Sequence, residues 1–393
     1  MNHFLVVLLL LSSSISYASI DKELWDRSNH PRLVSYDHNG KPIRFEIKFN
    51  NLPLQGVLPT IPWSGDYWPT YKGGISYRWN DYSSDDWNEY QRFGYDYVSK
   101  ESLLAMSQDE LAALSPAEKY DIYLGNYDFP LVKYERKRTQ ILRTVPGLPD
   151  YDSDFEIPTW EGLCHGWAPA TLLYGNPKSM VAESVDGIKI PFGSSDIKAL
   201  LTYNFHYNNA PKTYFLGQRC NLNFSQLQDR LYRGEITQRQ YDMEIELSEC
   251  RDVNAGSFHV VLANQISILK QGLIADVTRD FEVWNQPVYA YEYDILSQSG
   301  PSEHQQGYGV HKVYKVAASM KYIVEVGHSW SVDINHGGLA TRYYDYYVEV
   351  DNRGQIIGGE WISEDRPDFL WKKLNPGFKK YFKGLEKIYN QSL

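Results

Sequence analysis

The stretch EGLCHGWAPA at residues 161–170 predicts a tight turn that leads into a helix. Gly162 and Gly166 permit close approach of the backbone, and Pro169 is compatible with the first turn of a helix. Cys164 then lies at or just before the helix amino terminus, where backbone N–H groups and the helix dipole favour a thiolate. We therefore predict that Cys164 is a nucleophile whose own N–H contributes to an oxyanion hole. The alternative is a small buried hydrophobic residue, the common fate of an unpaired cysteine.

A cysteine nucleophile needs a histidine base from elsewhere in the fold, and that base needs an orienting side chain. Among ten histidines, His259 opens an apolar run at 258–269 that is typical of a buried strand. Asp276 lies inside the next apolar run, 273–278, and a carboxylate there requires a partner. We expect the two runs to form one antiparallel hairpin, with His259 as the base and Asp276 as the orienting residue. The alternative for Asp276 is a strand-end carboxylate that caps the backbone. His165 is expected to be structural, and the fallback residues are His328 as base and Asp280 or Asn285 as orienter.

The amino terminus predicts export. Residues 4–11 are apolar, and small residues at 16 and 18 indicate a signal peptide at 1–18 that is cleaved after Ala18. An uncleaved anchor is the alternative, although the apolar run is short for a bilayer span. We expect a secreted protein, extracellular or periplasmic in a Gram-negative host, with no stable membrane insertion.

The chain has three cysteines, which exclude a disulfide-dense small protein and a zinc site of four thiolates. In an exported protein this odd number indicates one disulfide and one free thiol. We predict that Cys220 pairs with Cys250, which would stabilise the fold by about 3–4 kcal/mol. Cys164 remains as the free thiol.

The composition predicts a large folded protein with an acidic surface. The net charge of −10 argues against non-specific binding to nucleic acid or anionic membranes. The 393 residues exceed what one core usually serves, so two lobes are expected. After the leader we expect a loop-rich aromatic segment at 19–100 (a pro-segment or a cleft wall), a catalytic region of two lobes at 101–372 and a basic helix at 373–393. That helix either docks on the core or, as the alternative, lies on a membrane surface.

Local signals predict an α+β fold in which the helix of Cys164 packs against an antiparallel sheet. Ser107 and Ser115 each begin a capping box, which predicts two helices after residue 100. The expected strands are 258–269, 273–278, 313–326, and 343–350 paired with 355–362 across a hairpin turn at 351–354.

Several further stretches carry a family resemblance. They are CRD at 250–252, GSFHVVL at 256–262, ADVT at 275–278, VWNQPV at 283–288, SPAEKYD at 115–121, GGEW at 358–361 and PDFLW at 367–371. Together they resemble the transglutaminase elicitor family of secreted oomycete and bacterial transglutaminases, and CHGW at 164–167 is similar to the nucleophile motif of that family. The most specific piece is VWNQPV, a surface peptide that plants perceive in oomycete members. Here YAYEY follows it at 289–293, a departure that puts the immunogenic surface in doubt.

The resemblance implies a protein-glutamine γ-glutamyltransferase with its active site in a deep interdomain cleft. Cys164 would attack the γ-carboxamide of a protein glutamine, with His259 moving the proton and Asp276 orienting it, and a lysine amine would take the thioester. The implied partners are proteins with accessible glutamine and lysine, without a metal or other cofactor; calcium dependence varies among transglutaminases, and the sequence has no EF-hand-like loop. The alternatives are a cysteine hydrolase on the same site, either a protein glutamine deamidase or a protease, and a non-catalytic secreted effector.

Overall fold

The computed structural model describes residues 25, 27–82, 98–208, 212–245, 252–279, 281–301, 309–332 and 338–393. The predicted leader at 1–18 lies outside these ranges, as do Cys250 and Asp280. Within them, no helix is long and apolar enough to cross a membrane.

Ten α-helices are formed by the described residues. They are α1 (Lys100–Ala105), α2 (Gln108–Ala113), α3 (Pro116–Tyr123), α4 (Pro130–Thr139), α5 (Cys164–Leu173), α6 (Ser194–Tyr207), α7 (Phe224–Tyr232), α8 (Gln238–Ile245), α9 (Ala255–Leu262) and α10 (Leu385–Ser392). Both predicted capping boxes are confirmed. The side chains of Ser107 and Ser115 each accept a hydrogen bond from the backbone N–H of the glutamate three residues on. The side chain of that glutamate in turn accepts from the backbone N–H of the serine.

The strands form one large antiparallel sheet and one small pair. They are β1 (Gln55–Val57), β2 (Met180–Glu183), β3 (Lys189–Phe192), β4 (Thr213–Gly217), β5 (Leu273–Asp276), β6 (Asn285–Ser299), β7 (Lys312–Ile323), β8 (Leu339–Val350), β9 (Ile356–Trp361) and β10 (Phe369–Lys373). The order in the large sheet is β4-β10-β5-β6-β7-β8-β9, with β1 also paired to β6, and β2 pairs with β3 alone. The predicted strand at the start of 273–278 and the β8–β9 hairpin are confirmed.

Helix α5 lies between the sheet and another helix. It packs against β5 and β6 on one side and against α6 on the other. The approach to α6 requires Gly166, because a Cβ at that position would lie 2.4 Å from the Thr202 carbonyl oxygen. The prediction of a mixed fold in which this helix packs against an antiparallel sheet is therefore confirmed; the interdomain cleft and the domain boundaries stay predictions.

The segment predicted as a strand from 258 to 269 is helical, so that prediction is wrong. It forms α9 followed by a π-helix at Ala263–Ile268. Asn254 caps α9 by accepting from the N–H groups of Gly256 and Ser257. A continuous apolar run suits a helix buried on all sides as well as a buried strand, and here the cap decides between them. The predicted His259–Asp276 hairpin consequently does not exist.

The carboxy-terminal segment packs on the core. A 3₁₀ helix at Lys380–Gly384 leads into α10, and Phe382, Leu385 and Ile388 are fully buried. Because α10 lies against α6, the apolar face of this basic segment is covered by protein, as the docked-helix prediction requires.

Candidate active site

Cys164 is the first residue of α5, as the turn-and-helix pattern predicts. It is a free thiol with only 7% of its surface exposed. The sulfur lies 3.6 Å from the carbonyl oxygen of Val283, and the amide nitrogen of Asn285 donates to it at 3.4 Å. The fallback orienter Asn285 is therefore in direct contact with the candidate nucleophile.

The orientation of Asn285 is set by a tryptophan. Trp371 Nε1 donates to Asn285 Oδ1 at 2.8 Å, and both side chains are almost completely buried. An amide whose oxygen is held in this way presents its NH₂ group on the other side, where the Cys164 sulfur lies. Trp371 is a site residue that motif reading missed, because an indole in a strand has no chemical signature of its own.

Asp276 lies beside this contact. It is the residue opposite Asn285 in the β5–β6 pair, and it is fully buried. Its Oδ1 accepts from the backbone N–H of Trp284 at 3.0 Å and from the hydroxyl of Thr278 at 3.2 Å. These are the strand-end capping bonds of the alternative interpretation, yet they also hold the carboxylate close enough to Cys164 for its charge to act on the thiol.

The electrostatic environment opposes a preformed thiolate. Burial raises the pKa of the Cys164 thiol, the hydrogen bond from Asn285 lowers it, and the charges of Glu325 and Asp276 raise it further. The expectation that the helix terminus would favour thiolate is outweighed here, because desolvation and two carboxylates act against it. To act as a nucleophile, Cys164 would therefore need a proton acceptor at the moment of attack.

His259 is not at this site, and its predicted role as the base for Cys164 is wrong. Its Nδ1 shares a hydrogen bond of 3.0 Å with the Tyr346 hydroxyl. Its ring stacks on that of Tyr293, with the two ring centroids 4.1 Å apart. Tyr293 lies eight residues along β6 from Asn285, a distance of about 25 Å at roughly 3.3 Å per residue.

A bulge in β6 explains the separation. The register shifts between Val288 and Ala290, so side chains of the same parity lie on opposite faces before and after this point. Asn285 accordingly contacts α5, whereas Tyr293 contacts α9. Burial lowers the pKa of His259 to about 3, as expected for a neutral histidine in the core.

The other described histidines near the site have their own partners. His328, the fallback base, pairs with Asp66 (Nε2 to Oδ2, 2.7 Å) and lies between the rings of Trp68 and Trp79. His165 shares a hydrogen bond with His206 (Nε2 to Nδ1, 2.9 Å), and burial lowers their pKa values to about 3 and about 4. Among the contacts given by the described residues, none joins these rings to the Cys164 sulfur.

Glu325 is a second carboxylate at the site that the sequence reading did not select. Its oxygens accept from Gln286 Nε2 at 3.0 and 3.1 Å, and burial raises its pKa. The signal was present, since Glu325 lies in the apolar run YIVEV at 322–326, where a carboxylate requires a partner just as Asp276 does.

Aromatic residues pack next to the turn that leads into Cys164. The carbonyl oxygen of Tyr67 accepts a hydrogen bond from the N–H of Leu163 at 2.6 Å. The centroid of the Tyr67 ring lies 5.9 Å from that of the Trp284 ring. The close approach predicted at Gly162 is confirmed, because a Cβ there would lie 2.4 Å from the Tyr67 ring.

Cys220 is one half of the predicted disulfide. Cys220 is fully buried and its N–H donates to Asp368 at 2.8 Å, but Cys250 lies outside the described ranges, so the disulfide stays a prediction. In the part of the chain that the structure describes, no group of three or more His, Cys, Asp or Glu side chains could hold a metal ion.

Comparison with known proteins gives a family and a fold. The crystal structure of the GP42 transglutaminase from Phytophthora sojae superposes with a TM-score of 0.60 at 23% identity, covering 90% of this chain and 95% of that one. At this identity the likeness establishes the fold. A search of curated proteins returned no match. The model of the transglutaminase elicitor family matches residues 38–118 and 149–379, and the chain therefore belongs to the transglutaminase elicitor family.

Proposed function

We propose that the chain is a secreted protein-glutamine γ-glutamyltransferase in which Cys164 is the nucleophile. The observation that carries the proposal is the Asn285 amide donating to a buried sulfur at the amino terminus of α5. A donor at this position stabilises negative charge on sulfur as it develops. The family membership supports the chemical class.

Asp276 replaces the histidine as the proposed proton acceptor. It lies opposite Asn285, and residues opposite each other in an antiparallel pair have Cβ atoms about 5 Å apart. Sulfur would attack the γ-carbonyl carbon while the thiol proton passes to Asp276. The C–N bond then breaks, and the proton leaves with the nitrogen as ammonia.

The second half-reaction uses the same groups. A lysine amine attacks the thioester carbonyl, the C–S bond breaks, and the amine proton returns through Asp276 to the sulfur. The product is an isopeptide cross-link between two proteins. A carboxylate is a weak base for a buried thiol, so proton transfer has to accompany C–S bond formation rather than precede it.

The proposal is tested by measuring two products together. Purified protein is incubated with a glutamine-containing protein and a fluorescent primary amine, and amine incorporation and ammonia release are followed. We expect both with the wild type and neither with Cys164→Ala. Ammonia without incorporation would identify a deamidase, peptide cleavage would identify a protease, and equal behaviour of the two proteins would identify a non-catalytic effector.

Export and the Cys220–Cys250 disulfide are part of the same proposal. The burial of Cys220 next to Asp368 supports a structural role for that cysteine. Thiol labelling of the secreted protein, unfolded in denaturant without reductant, should modify Cys164 alone. Labelling of Cys220 or Cys250 would contradict the pairing.

A further inference from the structure

A cavity of about 390 Å³ lies behind the nucleophile helix. Its walls come from the second half of α5, the start of β5, the end of β10 and the loop at 58–60. The apolar side chains that line it include Leu58, Pro169, Leu172, Leu173, Leu273 and Leu374. Cavities of this size and lining hold small molecules that have an apolar body.

The polar residues that line the cavity include three lysines, together with His38, Thr60 and Gln271. Lys270, Lys372 and Lys373 all line it, and among the described residues none of them forms an ion pair with a carboxylate. The contrast is Lys119, a buried lysine elsewhere in the fold, which meets Asp196 at 2.6 Å. Among the described residues, Asp37 is the carboxylate whose charge acts on Lys372, and it is half-buried.

The bonds made by these lysines use neutral acceptors. Lys372 Nζ donates to the Tyr36 carbonyl and to the side-chain oxygens of Gln265 and Gln271 at 2.7 to 2.9 Å. Lys373 Nζ donates to the carbonyl of Phe205 at 2.9 Å. Burial lowers the pKa of both ammonium groups, that of Lys372 to about 8. Lys373 thus holds its positive charge in a poorly solvated place without a carboxylate partner among the described residues, which is costly unless an anion is bound.

The two halves of the cavity together describe a ligand. An anionic group would lie at Lys373 and Lys270, and an apolar chain would lie along α5. The protein as a whole carries a charge of −10, so this positive group is a local exception rather than part of a basic surface. We infer that the cavity binds a medium-chain monocarboxylate, with its carboxylate at the lysines and its hydrocarbon chain against Leu172 and Leu173. This site is separate from the proposed acyl transfer and does not depend on it.

The inference is tested by calorimetric titration of the full-length secreted protein with octanoate, 1-octanol and octylamine. We expect saturable 1:1 binding of octanoate, and at least tenfold weaker binding of the alcohol and the amine. Lys373→Met keeps the length of the side chain and removes its charge, so octanoate affinity should fall at least tenfold. Lys189→Met, an exposed lysine in β3, should leave it unchanged.

Lys270→Met provides a second variant on an exposed residue, in case Lys373→Met does not fold. It should weaken octanoate binding at least threefold. The inference would be overturned if the wild type showed no saturable binding, or if it bound octanoate and octanol equally well. It would also be overturned if a folded Lys373→Met or Lys270→Met protein kept the wild-type affinity for octanoate. None of these readouts uses enzymatic activity, so a failure here is distinguishable from a failure of the proposed function.

Discussion

Trp371 holds Asn285 in place through a buried hydrogen bond of 2.8 Å from the indole nitrogen to the amide oxygen. The two residues are 86 positions apart and lie on different strands of the sheet. Because the bond leaves the Asn285 NH₂ group facing the Cys164 sulfur, the indole acts on Cys164 without touching it.

Replacing Trp371 with Phe removes the donor and keeps an aromatic ring. The Asn285 amide is then able to turn, and the hydrogen bond that lowers the pKa of Cys164 weakens. We expect a kcat about fivefold lower, since one such bond contributes roughly 1 kcal/mol, and a higher apparent pKa for Cys164 alkylation by iodoacetamide. Trp361→Phe is the matched control, because that indole donates to the Val253 carbonyl instead. An unchanged alkylation profile in Trp371→Phe would show that the indole has only a packing role.

Asp276→Asn tests the proposed proton acceptor. The substitution preserves side-chain size and the ability of Oδ1 to accept from Trp284, but an amide cannot take the thiol proton. We expect kcat for amine incorporation to fall by about 10² or more with little change in melting temperature. Activity within a few-fold of wild type would move the acceptor role to another group at the site.

Glu325→Gln has the opposite expected effect on thiol reactivity. The negative charge of Glu325 contributes to the raised pKa of Cys164, so removing it should lower that pKa. Alkylation at a fixed pH near neutrality should become faster, and the glutamine can still bond with Gln286. A slower alkylation rate would mean that Glu325 itself assists removal of the thiol proton.

His259 should matter for stability and not for chemistry. Its pKa is lowered by burial to about 3, so between that value and about 6.5 the unfolded chain binds a proton that the folded chain does not. The free energy of unfolding therefore falls as the pH falls through this window, by at most about 1.4 kcal/mol per pH unit from this residue. His165 and His206 act in the same direction.

His259→Phe keeps a ring in the stack and should remove this residue's share of the acid sensitivity. Urea unfolding at pH 5 and pH 8 measures the effect, with exposed His311→Phe as the control. Amine incorporation should stay close to the wild-type rate. Its loss in a folded His259→Phe protein would contradict the geometry of the site.

Gly166→Ala should displace α5, the helix that begins with Cys164. The added Cβ would lie 2.4 Å from the Thr202 carbonyl, and α5 has to move away from α6 to accommodate it. We expect a loss of about 1–3 kcal/mol in the free energy of unfolding, with lower activity. Gly300→Ala is the control, because a Cβ there meets no atom within 4 Å.

Local sequence signals were sufficient for much of the secondary structure and for the position of Cys164 at the start of α5. The capping boxes at Ser107 and Ser115, the start of α5 at Cys164 and the β8–β9 hairpin depend on residues within a few positions of each other. Such contacts form whatever the rest of the chain does, so a pattern can predict them. The prediction of a strand at 258–269 is wrong because full burial removes the periodicity that separates a helix from a strand.

The composition of the site was decided by the tertiary structure. A one-residue bulge between Val288 and Ala290 sets which side chains of β6 contact α5 and which contact α9. It leaves Asn285 at the sulfur and His259 on the other face, although both have the chemistry of a catalytic partner. Strand register and the partner of a side chain such as Trp371 come from packing between distant segments, and residue type and spacing along the chain do not encode them.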